Sequence, residues 1–110
     1  MRLTGGEPER ERDMTRVEFE AELRRDGYEV REGEFKPNVH REAHAHEFDA
    51  RVFVLDGSIT LVFGNDRVTY RPGDSCTIAA GTMHEEHTEA DGMRYVSGRR
   101  SVPRQAAQAS

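Results

Sequence analysis

The stretch His44-Ala45-His46-Glu47-Phe48-Asp49-Ala50-Arg51-Val52-Phe53-Val54-Leu55-Asp56-Gly57 decides how the rest of the chain is read. Side chains of an extended strand alternate faces, so histidines at i and i+2 point the same way and their imidazoles can share one cation. Alone the triplet is weak, because His-x-His occurs by chance in polar loops. It needs a third ligand, delivered by a fold. Arg51 to Leu55 is a nearly continuous apolar strand, and Asp56-Gly57 is a turn dipeptide that ends it.

Beyond that turn, Ser58 to Phe63 alternates, with Ile59, Leu61 and Phe63 on one face. Gly64-Asn65-Asp66 turns the chain into Val68-Thr69-Tyr70, and Pro72-Gly73-Asp74 turns it into Ser75–Ile78. Ala80-Gly81-Thr82 leads to His84, and Asp91-Gly92 separates that strand from Met93–Val96. Upstream, Tyr28, Val30 and Phe35 mark one or two short strands ending at Lys36-Pro37-Asn38. About seven short strands with turn signals every ~8–12 residues, and no helical pattern after Tyr28, indicate a sandwich or barrel.

One helix precedes them. Thr15 and Glu18 have capping-box spacing, Arg16 to Arg25 are good helix formers, and Gly27 stands where a left-handed C-cap belongs. Phe19 with Leu23, and Val17 with Ala21, form i,i+4 apolar pairs that Glu20 separates. A short helix over 15–26 is expected to pack on the outside of something larger. Residues 1–13 can bury no core and read as a disordered arm, and residues 101–110 as a flexible tail. One domain over 14–100 is left, with its barrel over 28–98.

The order of these motifs resembles the cupins, small double-stranded β-helical barrels of the jelly-roll type, over residues 38–88. The first cupin motif is His-x-His, a gap and a strand closing on Gly, here His44 through Gly57. The second is Gly-Asp, a strand, a turn containing Gly and then His, here Gly73-Asp74 through Gly81 and His84. The resemblance implies an all-β jelly roll in which His44, His46 and His84 are metal ligands. Three neutral imidazoles suit Zn²⁺, Fe²⁺, Ni²⁺, Cu²⁺ or Mn²⁺ and do not choose among them.

Three positions depart from the family pattern. Ala50 stands where the first motif carries a glutamate ligand, Ala79 where a proline is expected, and Thr88 where an asparagine is expected. Three carboxylates are candidates for the vacant fourth position. Glu47 follows His46, and Asp49 turns inward only through a one-residue shift or bulge. Glu86 shares the strand face of His84 and can ligate, orient a ligand, or act as acid or base. His40 reads as a loop residue and His87 has the opposite parity from His84, so both read as exposed side chains. Cys76 reads as a small buried hydrophobe beside Ile78. Arg94, Arg99 and Arg100 form a basic end that balances the acidic face or meets an acidic ligand.

Composition bounds the function. The 110 residues suit one domain, and 35% hydrophobic against 34% charged content leaves a small core. Such a chain is compact or shares apolar surface in a homodimer, for which the outward Phe53 and Leu55 offer a face. A net charge of −5 argues against nucleic acid. The sequence holds no apolar run of membrane-spanning length and no signal peptide, and its single Cys76 fits a reducing cytoplasm. No phosphate loop or serine-nucleophile motif appears. The resemblance implies a metal-dependent enzyme, a dioxygenase or an isomerase, acting on a small organic molecule. The alternative is a non-catalytic module that holds a small ligand or metal, since fold does not fix function.

Overall fold

The computed structural model describes residues 14–102, so the expected N-terminal arm and nearly all of the expected tail lie outside the described residues. One helix, α1 (Arg16–Arg25), precedes eight strands. These are β1 (Glu29–Phe35), β2 (His40–His44), β3 (Phe48–Gly57), β4 (Ile59–Phe63), β5 (Asp66–Tyr70), β6 (Ser75–Ile78), β7 (His84–His87) and β8 (Met93–Ser101). They form two four-stranded antiparallel sheets, ordered β1-β8-β3-β6 and β2-β7-β4-β5. The fold is the expected all-β jelly roll. Among the described residues no helix is long and apolar enough to cross a membrane.

The residues between the sheets follow strand parity. Val54, Ile59, Leu61, Phe63, Val68, Tyr70, Cys76, Ile78 and Met93 form the buried interior. Cys76 is therefore the small buried group its parity predicts. A second core lies on the outer side of β3 and β8, where Phe53 and Val96 meet Phe19, Leu23 and Tyr28. Phe19 and Leu23 are 0% exposed, whereas Val17 is 77% exposed, so the i,i+4 pair of Phe19 and Leu23 is the one that packs. The Phe19 and Phe53 rings lie 5.3 Å apart, and Leu55 packs against the same cluster. The outward face of β3, where a dimer contact was expected, is covered by the chain's own helix.

Local signals place that helix. The Thr15 side chain accepts from the Glu18 N–H while the Glu18 carboxylate accepts from the Thr15 N–H, completing the capping box. At the other end Gly27 has φ +82°, Tyr28 N–H donates to Leu23 C=O and Gly27 N–H to Arg24 C=O, a Schellman ending. The chain then enters β1 with Tyr28 already beside Leu23. Gly98 completes the fit, since a Cβ there would come within 2.7 Å of a Leu23 methyl.

β2 is the strand absent from the sequence expectations. Its sequence His-Arg-Glu-Ala-His carries no apolar pattern, because β2 is an edge strand and its inward side ends on half-buried His44 instead of a core residue. His40, expected in a loop, is its first residue and pairs with His87.

Candidate metal centre

β7 and the end of β2 carry the centre. Along β7, His84 and Glu86 are buried and face inward, and Glu85 and His87 face outward. In β2 the register slips between Arg41 and His44: three steps from Arg41 to His44 span two from Glu86 to His84. Regular alternation would put Arg41 and His44 on opposite faces. The extra residue turns both inward, the effect a β-bulge has on a strand.

The ligand-bearing segments are tied together. Gly81, in a turn with φ +85° that favours glycine, donates its N–H to His46 C=O at 2.9 Å. The His46 ring stacks on Phe48 with centroids 4.7 Å apart, and Phe63 stands 6.0 Å behind His84. Buried Thr88, where an asparagine was expected, donates to Lys36 C=O at 2.7 Å and accepts from Val39 N–H at 2.9 Å, fixing the entry to β2.

The structure brings His44, His46, His84 and Glu86 together, one donor atom from each lying within 4.8 Å of the others. Ring centroids are 5.0 Å apart for His44 and His46, 4.6 Å for His44 and His84, and 5.4 Å for His46 and His84. His44 Nδ1 lies 2.8 Å from Glu42 C=O and His84 Nδ1 2.9 Å from Thr82 C=O. Donation from both Nδ1 atoms fixes the rings and leaves the Nε2 atoms for the centre, as carbonyl partners do for histidines that ligate a metal. Glu86 Oε2 is 3.2 Å from His84 Nε2 and 3.6 Å from His44 Nε2.

A divalent ion suits these donors. His44 Nε2 and Glu86 Oε1 are buried without a hydrogen-bond partner, the condition that an added cation relieves. Three imidazoles and one carboxylate suit borderline divalent ions such as Zn²⁺, Fe²⁺, Ni²⁺, Cu²⁺ or Mn²⁺, so the residues fit the metal that the motifs imply.

Protonation in the metal-free protein follows from the contacts. The Glu86 hydrogen bond raises the His84 pKa against the effect of burial, and the contact with Thr82 C=O adds to the rise. Burial alone would raise Glu86, but the His84 hydrogen bond and the charges of His44, His84 and Arg41 hold its carboxyl below the usual range. Burial, with His44 and His84 nearby, lowers the His46 pKa, which favours its neutral, ligating form.

The other carboxylate candidates lie elsewhere. β3 pairs with β8 without a break from Phe48 to Val54, so no bulge brings Asp49 inward. Asp49 instead accepts from Ala80 N–H at 2.9 Å and from Arg100 at 3.4 Å. Glu47 is exposed and outside the cluster. Ala50 lines the interior cavity with a methyl group, and the carboxylate reaches the centre from β7.

That cavity, about 220 Å³, adjoins the centre through His46 and Glu86 and is walled by Val52, Ile59, Leu61, Ile78 and Met93. Two arginines line it. Arg41 lies 5.0 Å over the Phe35 ring and 3.9 Å from Glu86, and Arg99 lies 4.6 Å over the Phe48 ring. Arg94 pairs with Asp56 and Arg100 with Asp49, whereas no carboxylate among the described residues pairs with Arg99. Of the basic end, only Arg99 turns to the cavity. Arg41 escaped the sequence reading because the β2 bulge that aims it inward leaves no mark in residue types.

A family model for the cupin domain matches residues 28–96, and the chain belongs to the cupin family. No curated protein matches it. Solved structures share the fold at low identity. KdgF from Halomonas sp. is 17% identical with a TM-score of 0.58, over 70% of this chain and 71% of that one. A cupin-2 domain protein from Shewanella frigidimarina NCIMB 400 is 18% identical with a TM-score of 0.56, over 66% and 71%. The DMSP lyase DddQ from Ruegeria pomeroyi DSS-3 is 18% identical with a TM-score of 0.61, over 69% of this chain and 39% of that one.

Proposed function

We propose that this cupin is a metal-dependent enzyme acting on a small organic acid inside its barrel, with His44, His46, His84 and Glu86 holding the ion. The observation that carries the reading is that His44 and His84 engage Nδ1 with backbone carbonyls while His44 Nε2 and Glu86 Oε1 stay buried without a hydrogen-bond partner. A bound divalent ion would supply Lewis-acid or redox chemistry to substrate oxygen atoms at its open positions.

The chain's own residues do the rest. Arg99, held over Phe48 with no carboxylate partner among the described residues, receives the acid group, and Arg41 stands beside Glu86 on the same cavity. A cavity of about 220 Å³ is smaller than the ~300–1,000 Å³ of sites for drug-sized ligands, so the substrate is a small metabolite-sized molecule. With Glu86 committed to the ion, the cavity keeps no second buried carboxylate or free histidine among the described residues to move a proton, its other carboxylate, Glu34, being exposed. That favours an O₂-dependent reaction, of dioxygenase type, over a base-driven isomerisation. The lack of a second buried carboxylate also supports the second reading, a non-catalytic module that holds a small acid. A DMSP lyase shares the barrel, but at 18% identity that likeness carries only the fold.

The test is metal analysis of tag-free protein purified without added metal, beside His84→Ala, followed by oxygen uptake with Fe²⁺ and a panel of thiols, diketones, flavonols and catechols. Metal that survives in His84→Ala at the wild-type level sinks the inner centre. A loaded protein that binds panel members yet consumes no oxygen supports the module over the dioxygenase.

A further inference from the structure

We propose a second divalent-metal site on the outside of the barrel, formed by His40, Glu85 and His87. His40 on β2 stands directly opposite His87 on β7, and their rings meet edge to face with centroids 4.1 Å apart. Glu85 lies two residues before His87, hence on the same outward side of the strand. Its Oε1 is 2.9 Å from His87 Nε2. One donor atom from each of the three lies within 4.8 Å of the other two.

The chemistry follows from the donor set. Two imidazoles and a carboxylate, with one position open to water, form a site for Zn²⁺ and similar borderline ions. Donors bonded at about 2.0–2.2 Å around a tetrahedral ion stand roughly 3.3–3.6 Å apart. The trio starts with every donor within 4.8 Å of the others and must close to that spacing around the ion. The 2.9 Å contact between His87 Nε2 and Glu85 Oε1 marks the place of the ion, which would sit between them and draw in His40. His40 is exposed and Glu85 and His87 are half-buried, so an ion can reach them. α1 packs on the other sheet.

Two consequences follow. Alternate residues of His84-Glu85-Glu86-His87 serve two centres, one on each face of β7. The outer ion also clips edge strand β2 to β7 beside the bulge that aims His44. The outer site does not depend on the proposed function, because no residue is shared.

The test titrates Zn²⁺ into tag-free, chelator-stripped full chain against a chromophoric competitor. Wild type is expected to bind two Zn²⁺ per chain. A His46→Ala/His84→Ala variant, checked for folding by circular dichroism, is expected to keep one, and adding His87→Ala is expected to weaken that ion at least tenfold. No Zn²⁺ in the double variant, or a retained ion indifferent to His87→Ala, overturns the proposal. If the double variant does not fold, His40→Asn and Glu85→Gln are made in the otherwise intact chain. A stoichiometry that falls from two to one supports the site, and an unchanged one refutes it.

Discussion

Glu86→Gln is the change that most sharply tests the inner centre. The carboxylate is 8% exposed and supplies the single anionic donor among four, with Oε2 3.2 Å from His84 Nε2 and 3.6 Å from His44 Nε2. Glutamine keeps the shape and loses the charge. Loss of a partner that merely orients a ligand weakens metal binding about 10–100-fold. Loss of a direct anionic ligand must exceed that range, so at least ~100-fold is expected, or about 2.7 kcal/mol at 1.36 kcal/mol per decade. The assay is Zn²⁺ competition with a chromophoric chelator at pH 7.5, in a His40→Asn background so that only the inner donors count. Ala50 then offers a rescue, because it lines the same cavity from β3 at the position where the family pattern has glutamate. Ala50→Glu in the Glu86→Gln chain is expected to recover at least tenfold. A loss between tenfold and 100-fold would make Glu86 an orienting residue. A loss under threefold, with the fold intact by circular dichroism, would refute the assignment of Glu86 to the centre.

Three other outcomes are expected. Phe19→Ala empties a 0% exposed site between Phe53 and Leu23 and removes the ring beneath the Arg51 guanidinium; urea unfolding should show a loss of about 3–5 kcal/mol, and a loss below about 1 kcal/mol would mean that α1 is not part of the core. Arg99→Met should weaken binding of small carboxylates to the metal-loaded protein at least tenfold while leaving metal content unchanged, and equal affinity would remove Arg99 from the site. The metal-free protein should show a pH signature of the His84–Glu86 pair. Raised His84 contributes stability fully present below its ordinary value of 6.5 and lost as pH rises through its higher folded value. Depressed Glu86 contributes stability present above its ordinary 4.5 and lost as pH falls through its lower folded value. In chelator, the Tm gap between wild type and His84→Gln should therefore be widest between pH 4.5 and 6.5 and shrink above it. A gap that is flat with pH would contradict the pairing.

Much of the fold was legible because its determinants are local. Thr15, Glu18 and Gly27 delimit α1 through backbone hydrogen bonds that need no partner element. The inward set Ile59, Leu61 and Phe63 follows from alternation, as does the shared face of His84 and Glu86. β2 was missed because an edge strand whose one apolar residue is Ala43 has no hydropathy pattern. The choice between Asp49 and Glu86 turned on register, which is set across strands: unbroken β3–β8 pairing holds Asp49 outward, where Ala80 N–H binds it. The face given to a dimer was taken by α1, because residues some 30 positions apart in sequence meet only once the sheet exists.

The slip between Arg41 and His44 changes which kind of mutation the centre tolerates least. Residue identity at Glu42 and Ala43 matters little to it, since both are exposed. The place of the slip matters a great deal. Deleting one residue between Arg41 and His44 would match the two remaining steps to the two from Glu86 to His84, and regular alternation would then keep both side chains inward without the bulge. Moving the slip past His44 would instead turn His44 outward, while a motif search still found His44, His46 and His84 in order. In this segment the position of the slip, more than residue type, sets where the histidine points.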